Sequence, residues 1–545
     1  MSLHTAPYYF AIAMSFYASV VMAYIAMAAS IGPWIAPTLI MMIYFFLELY
    51  FIRFPLHYTA YVKAAKSDIL AVVCSASIGG IAATACGFSF PALYFLDPQQ
   101  YDQLLHSQTT FFCVLAGLVL TAGLFGFAIA HFLKERFLND QTLTFPIGKV
   151  IATAIDGADQ QKNQKKKLIE GGLFFGLFAW LNSLLGVQKI TLPALPSIKL
   201  PAFVFDLSVL PMLVSVGFVT GSVIARPLLT GIMLKYFVID TVRLLFFNAI
   251  SSSDFILAFG AGMVLSGFFS TLQRMPTTIK QFFLIFWQWY WTSVTNQTSF
   301  KNSMLLINPQ LLVHSTLFLL FFVWWAWFVG FSFSLGFYLL VGTYVCVYQM
   351  ILIGGTMGIA PLGRFATFVM VPALFLFEMS YMQIILIATF VEVAGGVAVD
   401  VLFGQKAQLL TKTCPITIMK MQLFGIGLAA IGCTFAMYIL TSRLALGSIQ
   451  LGAYKAQARA LLVTAGTFDY GVVCVGILGG WIVQGFKINP GMVLGGLLMP
   501  IDYSLGLLVG SLIAHFTKNK DLHLSFASGV YTANSLWMVF KALLG

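Results

Sequence analysis

The chain has 545 residues, 60% of them hydrophobic and only 9% charged, with a formal net charge of +11. A soluble domain carries about 25% charged residues, so no water-soluble fold could hide this much apolar surface, and the solvent is lipid. The basic residues cluster in loops between apolar runs; that is the positive-inside pattern of a membrane protein and excludes nucleic acid as the explanation of the charge.

The N-terminal stretch MSLHTAPYYF contains no Lys or Arg, so a cleaved secretory signal is not expected and the first span is expected to stay. No charged residue occurs from Tyr8 to Leu47. Spans are expected at 8–29, 33–52, 68–90, 109–133, 168–187, 205–225, 227–247 and 255–272. The loop 91–108 carries Asp97 and Asp102 and no base, whereas 134–167 carries seven Lys or Arg. These loops alternate correctly if the N-terminus is cytoplasmic. The aromatic, polar-flecked stretch 281–300 reads as an interfacial helix. From Asn302 to Gly363 the chain is again without Asp, Glu, Lys or Arg. Further spans are expected at 309–330 and 332–353, as two short pieces within 365–403, and at 421–441, 461–484, 489–514 and 522–543. The whole is an all-α polytopic membrane protein of about 16 transmembrane helices.

A repeat underlies this count. TLTFPI at 142–147 returns as TKTCPI at 411–416, so that Pro146 and Pro415 are 269 residues apart. FDLSVLPMLVSVG at 205–217 resembles FDYGVVCVGILGG at 468–480, with Asp206 and Asp469 separated by 263. LAFGAG at 257–262 resembles LSFASG at 524–529, at an offset of 267. Three anchors in one order point to two transmembrane repeats, 1–275 and 276–545. An even span number in each makes the two parallel in orientation. In such proteins the substrate site lies where repeats meet, at matching interrupted segments. A proline flanked by threonines suits a helix that starts or breaks beside a protein-lined cavity.

The same anchors resemble the oligopeptide transporter (OPT) superfamily, and within it the yellow stripe-like metal-chelate branch. The carrying segments are FPIGKVIATAI at 145–155, VFDLS at 204–208, IGGTMGIAPLGR at 353–364, VDVLFGQKAQLLTKTCP at 399–415 and the closing GVYTANSLWMVFKALLG. Lys149, the stretch around Lys406, and Asn534 depart from the family pattern. The resemblance implies a sixteen-helix fold and proton-coupled uptake of small peptides or of metal–chelate and siderophore complexes across the inner (plasma) membrane. The short N-terminus is similar to that of bacterial members.

Eighteen acids in so apolar a chain each need a reason, because a charge at mid-bilayer costs about 2.5–3.5 kcal/mol on insertion scales. Glu392 and Asp400, eight apart, share one broad helix face and could hold a proton between them; with the repeat-related Asp206 and Asp469 they are the proton-coupling candidates. Asp502 is also mid-span, and Asp240 with Arg243 and Lys235 reads as an ion-pair group. The substrate-binding candidates are Pro146, Gly148, Lys149, Gly354, Gly355, Thr356, Lys406 and Pro415, because glycine-rich backbone at a broken helix suits a carboxylate. The seven cysteines form no CxxC and no metal spacing, so neither metal site nor cofactor is expected, the proton gradient being the driving force. HExxH, GxSxG and P-loop motifs are missing, which argues against an enzyme. The alternatives are a permease of another superfamily for amino acids and, further off, a polytopic membrane enzyme. Expected partners are a small-molecule substrate and the bilayer, with a homodimer left open.

Overall fold

The structure of the chain is a computed structural model. It describes residues 6–28, 66–140, 145–156, 158–185, 189–192, 203–206, 210–267 without 249, 253 and 264, 309–357, 362–464 without 449, 469–488 and 501–517. It also describes single positions within 35–43, at 143, and within 490–497 and 523–537. The stretch 281–300 and most of 33–52 lie outside the described residues.

In chain order the helices are α1 (Ala6–Ala28), α2 (Lys66–Ser89), α3 (Ala92–Leu96), α4 (Pro98–His106), α5 (Gln108–Asn139), α6 (Pro146–Asp156) and α7 (Ala158–Leu185). Strands β1 (Lys189–Leu192) and β2 (Phe203–Asp206) follow and pair antiparallel, Lys189 opposite Asp206. Next come α8 (Leu210–Thr220), α9 (Ser222–Met233), a π-helical turn (Leu234–Ile239) and α10 (Asp240–Phe246), then α11 (Asp254–Gly267). The second half supplies α12 (Pro309–Val329), α13 (Phe333–Met357), α14 (Leu362–Leu376), α15 (Tyr381–Thr411), α16 (Pro415–Arg443), α17 (Tyr454–Val463), α18 (Tyr470–Gly485) and α19 (Ile501–Phe516). Among the described residues six helices are long and apolar enough to cross a bilayer, and seven shorter ones are apolar. Trp327, Phe333 and Phe375 point outward from such helices, and all three are exposed. Large aromatics exposed along such apolar helices fit an apolar solvent. The chain is a helical membrane protein whose small ribbon β1–β2 sits between spans.

Three expected spans are drawn differently. The stretch 365–403 holds one short helix and one of 31 residues, α15. The start of α15 is fixed by a capping box, Ser380 and Gln383 each satisfying the other's backbone N–H. The expected span 205–225 begins as strand β2 and breaks at Gly221, whose φ of +57° only glycine adopts without strain. The expected span 461–484 is split between α17 and α18.

The main core is built around α2 and α15, whose most apolar stretches are entirely covered by protein. α2 lies among α1, α15 and α16, and α15 lies among α2, α5, α6, α13 and α14. Elements from both halves of the sequence thus share one core. A second, smaller core joins α11 to α18 through Phe255, Phe259, Met263, Val472 and Val473. Lipid tails are as apolar as leucine, so close packing holds these helices together more than hydrophobic transfer does. One close crossing near the second core, that of Gly231 with Gly496, is reciprocal. A Cβ at Gly231 would strike the carbonyl of Val493 and come 2.8 Å from the Gly496 Cα; a Cβ at Gly496 would strike the carbonyl of Leu228 and come 2.8 Å from the Gly231 Cα. Both contacts exchange positions at an offset of 265 residues.

Candidate functional site

Polar side chains in a lipid-embedded core are costly unless paired, so the site is sought where they gather. They gather along the seam between α2 and α15. Ser89, in the last turn of α2, donates to Glu392 Oε2, and Ser77, twelve residues earlier, donates to Asp400 Oδ2 at 2.6 Å. The two acids share one face of α15, as their spacing dictates. They cannot share a proton, because eight helical residues separate them by about 12 Å along the axis. Glu392 has no exposed surface and Asp400 only 4%.

The two carboxyls differ in their counter-charge. Arg459, on α17, donates from Nη2 to Glu392 Oε1 at 2.7 Å and to the Gly363 carbonyl at 3.4 Å. Among the described residues this is the one ion pair with both partners buried. Asp400 has the Ser77 hydroxyl and, among the described residues, no ion pair. The helix that carries Arg459 is only 10 residues long, too short to span. It starts at Ala453, whose left-handed backbone donates to the carbonyl of Met27 near the end of α1, and it lies against α2 and α3. Lys455, one turn before Arg459, holds its ammonium 3.4 Å from the centre of the Phe88 ring.

The expected substrate residues assemble elsewhere on α15. Phe145 (φ +46°) donates its N–H to the Gly355 carbonyl at 2.7 Å. It thereby satisfies one of the carbonyls that the end of α13 leaves without an intrahelical partner. Its ring packs edge-on against Phe403, and the Lys406 ammonium lies 5.9 Å from the ring centre. Pro146 then opens α6. Gly148 and Gly354 are packing notches: a Cβ at 148 would fall 2.8 Å from the Phe403 carbonyl oxygen, and one at 354 would fall 2.6 Å from a Val399 methyl. Lys149 is exposed. The side chains of Thr356, Asp206, Asp240 and Asp502, and residues 358–361, lie outside the described residues. Pro415 is exposed at the first position of α16. Asp469 is an exposed N-cap that accepts from the Val472 N–H at 3.1 Å.

Sequence reasoning missed Arg459, Lys455, Ser77 and Ser89. The signal for the first two was present: Lys455 and Arg459 stand four apart in YKAQARALLV, one face of a helix. The serines carried none, since their role depends on a partner more than 300 residues away. Comparison with known protein families and with curated proteins gives no match, and the functional reading rests on geometry and motif order.

Proposed function

We propose that the chain is a proton-coupled secondary transporter of the plasma membrane, built from two repeats of about eight spans each. The observation that carries this reading is the α2–α15 seam. It holds two acids inside one span, one neutralised by an arginine from a half-length helix and the other held by a single hydroxyl. A purely structural seam has no use for a buried acid without a counter-charge, because a neutral residue would pack there at lower cost. Glu392 is committed to Arg459. Asp400 is the group whose charge can change as access alternates between the two sides. The reciprocal Gly231–Gly496 crossing at an offset of 265 lies within the 263–269 range of the sequence anchors and supports the duplication. The ordered motifs shared with the OPT superfamily support small peptides or metal–chelate complexes as cargo.

The test is uptake into proteoliposomes under an inward proton gradient, with tripeptides and ferric chelates as probes. Asp400→Asn is expected to bind cargo yet lose the acceleration by the gradient. Uptake of no probe, or gradient-driven uptake unchanged in D400N, refutes the reading.

A further inference from the structure

Arg459 has a second donor, and it is unused. Nη2 serves Glu392 and Gly363, but Nη1 is buried and has no partner among the described residues. A guanidinium is always charged and presents its donors as a planar fork that matches a carboxylate. Leaving one prong of that fork empty in a closed environment is costly, which marks the position as kept for a ligand. The charge count agrees. Lys455 and Arg459 bring two positive charges to this corner and Glu392 one negative, so the corner is one anion short. Lys455 and Arg459 lie on one face of α17, and they differ in access: Lys455 is exposed while Arg459 is 93% covered. Tyr454 and Ala456 beside Lys455 are both buried, so the opening is local to that lysine. The α2 residues Phe88 and Ser89 meet Lys455 and Glu392 respectively and fix the corner against the same seam that carries Asp400.

We propose that Lys455 and Arg459 form an anion subsite that receives a carboxylate of the cargo, Lys455 at its mouth and Arg459 Nη1 one turn further in. Resting on the transporter reading, the subsite narrows the cargo to molecules with a free carboxylate, whether a peptide C-terminus or a polycarboxylate chelator. Glu392 then serves as a positioning residue: it holds Nη2, so that Nη1 faces the incoming carboxylate. No step of this binding requires a covalent change.

The test is calorimetric titration of the full chain in lipid nanodiscs with three probes: glycylglycine, glycylglycinamide and citrate. At least one of the two carboxylates is expected to bind saturably. Glycylglycinamide is expected to bind at least tenfold more weakly than a bound glycylglycine, since one charge-assisted hydrogen bond contributes about 1.5–3 kcal/mol. Lys455→Gln, at an exposed side chain, is expected to fold normally and to weaken the bound carboxylate by roughly tenfold. Arg459→Lys keeps the charge beside Glu392 and is expected to lose at least as much. Binding of neither carboxylate, equal binding of the amide, or indifference to both substitutions overturns the subsite. Uptake of the same probes is measured in parallel. Binding without uptake leaves the anion subsite standing and sinks the transport reading; uptake indifferent to both substitutions does the reverse.

Discussion

Arg459→Met is the sharpest perturbation the geometry offers. The substitution keeps a flexible side chain of similar length on α17 and removes the cation. Glu392, with no exposed surface, would then lose its ion pair and keep the Ser89 hydroxyl as its hydrogen-bond partner, with Lys455 acting on it only through space. Breaking a buried ion pair by deleting one partner costs about 3–5 kcal/mol, most of it the uncompensated charge left behind. Replacing both partners, Arg459→Met with Glu392→Leu, removes that charge as well, and such double replacements range from neutral to about 1–4 kcal/mol stabilising. The double variant is therefore expected to be more stable than the Arg459 single variant, with a coupling energy of about 3 kcal/mol or more. Equilibrium unfolding of the purified variants in mixed micelles reads all four corners of the cycle. If the single variant loses less than about 1 kcal/mol, the value typical of an exposed pair, Glu392 is hydrated and the closed seam is wrong. If the double variant is no more stable than the single, the loss comes from packing and not from charge.

Four further outcomes follow from the same geometry. Gly126→Ala places a methyl against the carbonyl of Ala394 where α5 crosses α15 and is expected to cost about 1–3 kcal/mol as overpacking. Gly176→Ala on α7 meets nothing within 4 Å and is expected to gain about 0.5–1 kcal/mol from helix propensity; equal effects of the two in the same unfolding assay would deny the α5–α15 crossing. Ser380→Ala removes the capping box of α15 and is expected to cost about 1 kcal/mol, measurable as hydrogen-exchange opening of the first turn. Cys414 is exposed ahead of α16, and its thiol is held below the usual value by the Thr417 backbone N–H and then by the Thr417 hydroxyl. A lowered pKa leaves more thiolate at a given pH, so maleimide should label Cys414 faster near neutral pH than it does in Thr417→Val, which keeps the backbone N–H and loses the hydroxyl; equal rates contradict the cap geometry.

Much of the architecture was legible in the sequence because lipid reverses the usual ambiguity: a long apolar run has few alternatives to a helix. α1, α2, α5, α12, α13 and α16 fall where the apolar runs do. The second piece within 365–403 is expected to be short, whereas α15 runs unbroken through Glu392, Gly395, Gly396 and Asp400. The charges are instead satisfied by partners on α2 and α17, and the glycines admit Met350 and Ile81 side chains. The two acids were legible because burying a carboxylate demands a reason. Which of them carries a counter-charge was not legible, since Arg459 lies 67 residues from Glu392 and only the fold brings the two together. Gly148 and Gly354, singled out for ligand approach, sit at close contacts with α15, and ligand approach and helix approach need the same missing Cβ.

The proposed duplication also limits how many cargo molecules one chain can bind. At the offset of 269 that joins Pro146 to Pro415, Glu392 corresponds to Gly123 and Arg459 to Ile190. The whole of α17 corresponds to 185–194, where the first half forms strand β1 in place of a helix. The first half therefore has no acid at the position of Glu392 and, over the described residues 189–192, a strand where the second half has α17. Asp400 corresponds to His131, which stacks on Phe127 and approaches Gln405 on α15 at 3.5 Å, so the titratable position is kept in both halves while its chemistry differs. On the proposed reading, a two-fold scaffold with one-fold chemistry would bind off its own axis. The carboxylate probes are expected to titrate at one equivalent per chain, with Lys455→Gln weakening the whole of that binding. Two equivalents, or a second equivalent that survives Lys455→Gln and disappears in His131→Asn, would place a cation site in the first half and refute the assignment of carboxylate binding to α17 alone.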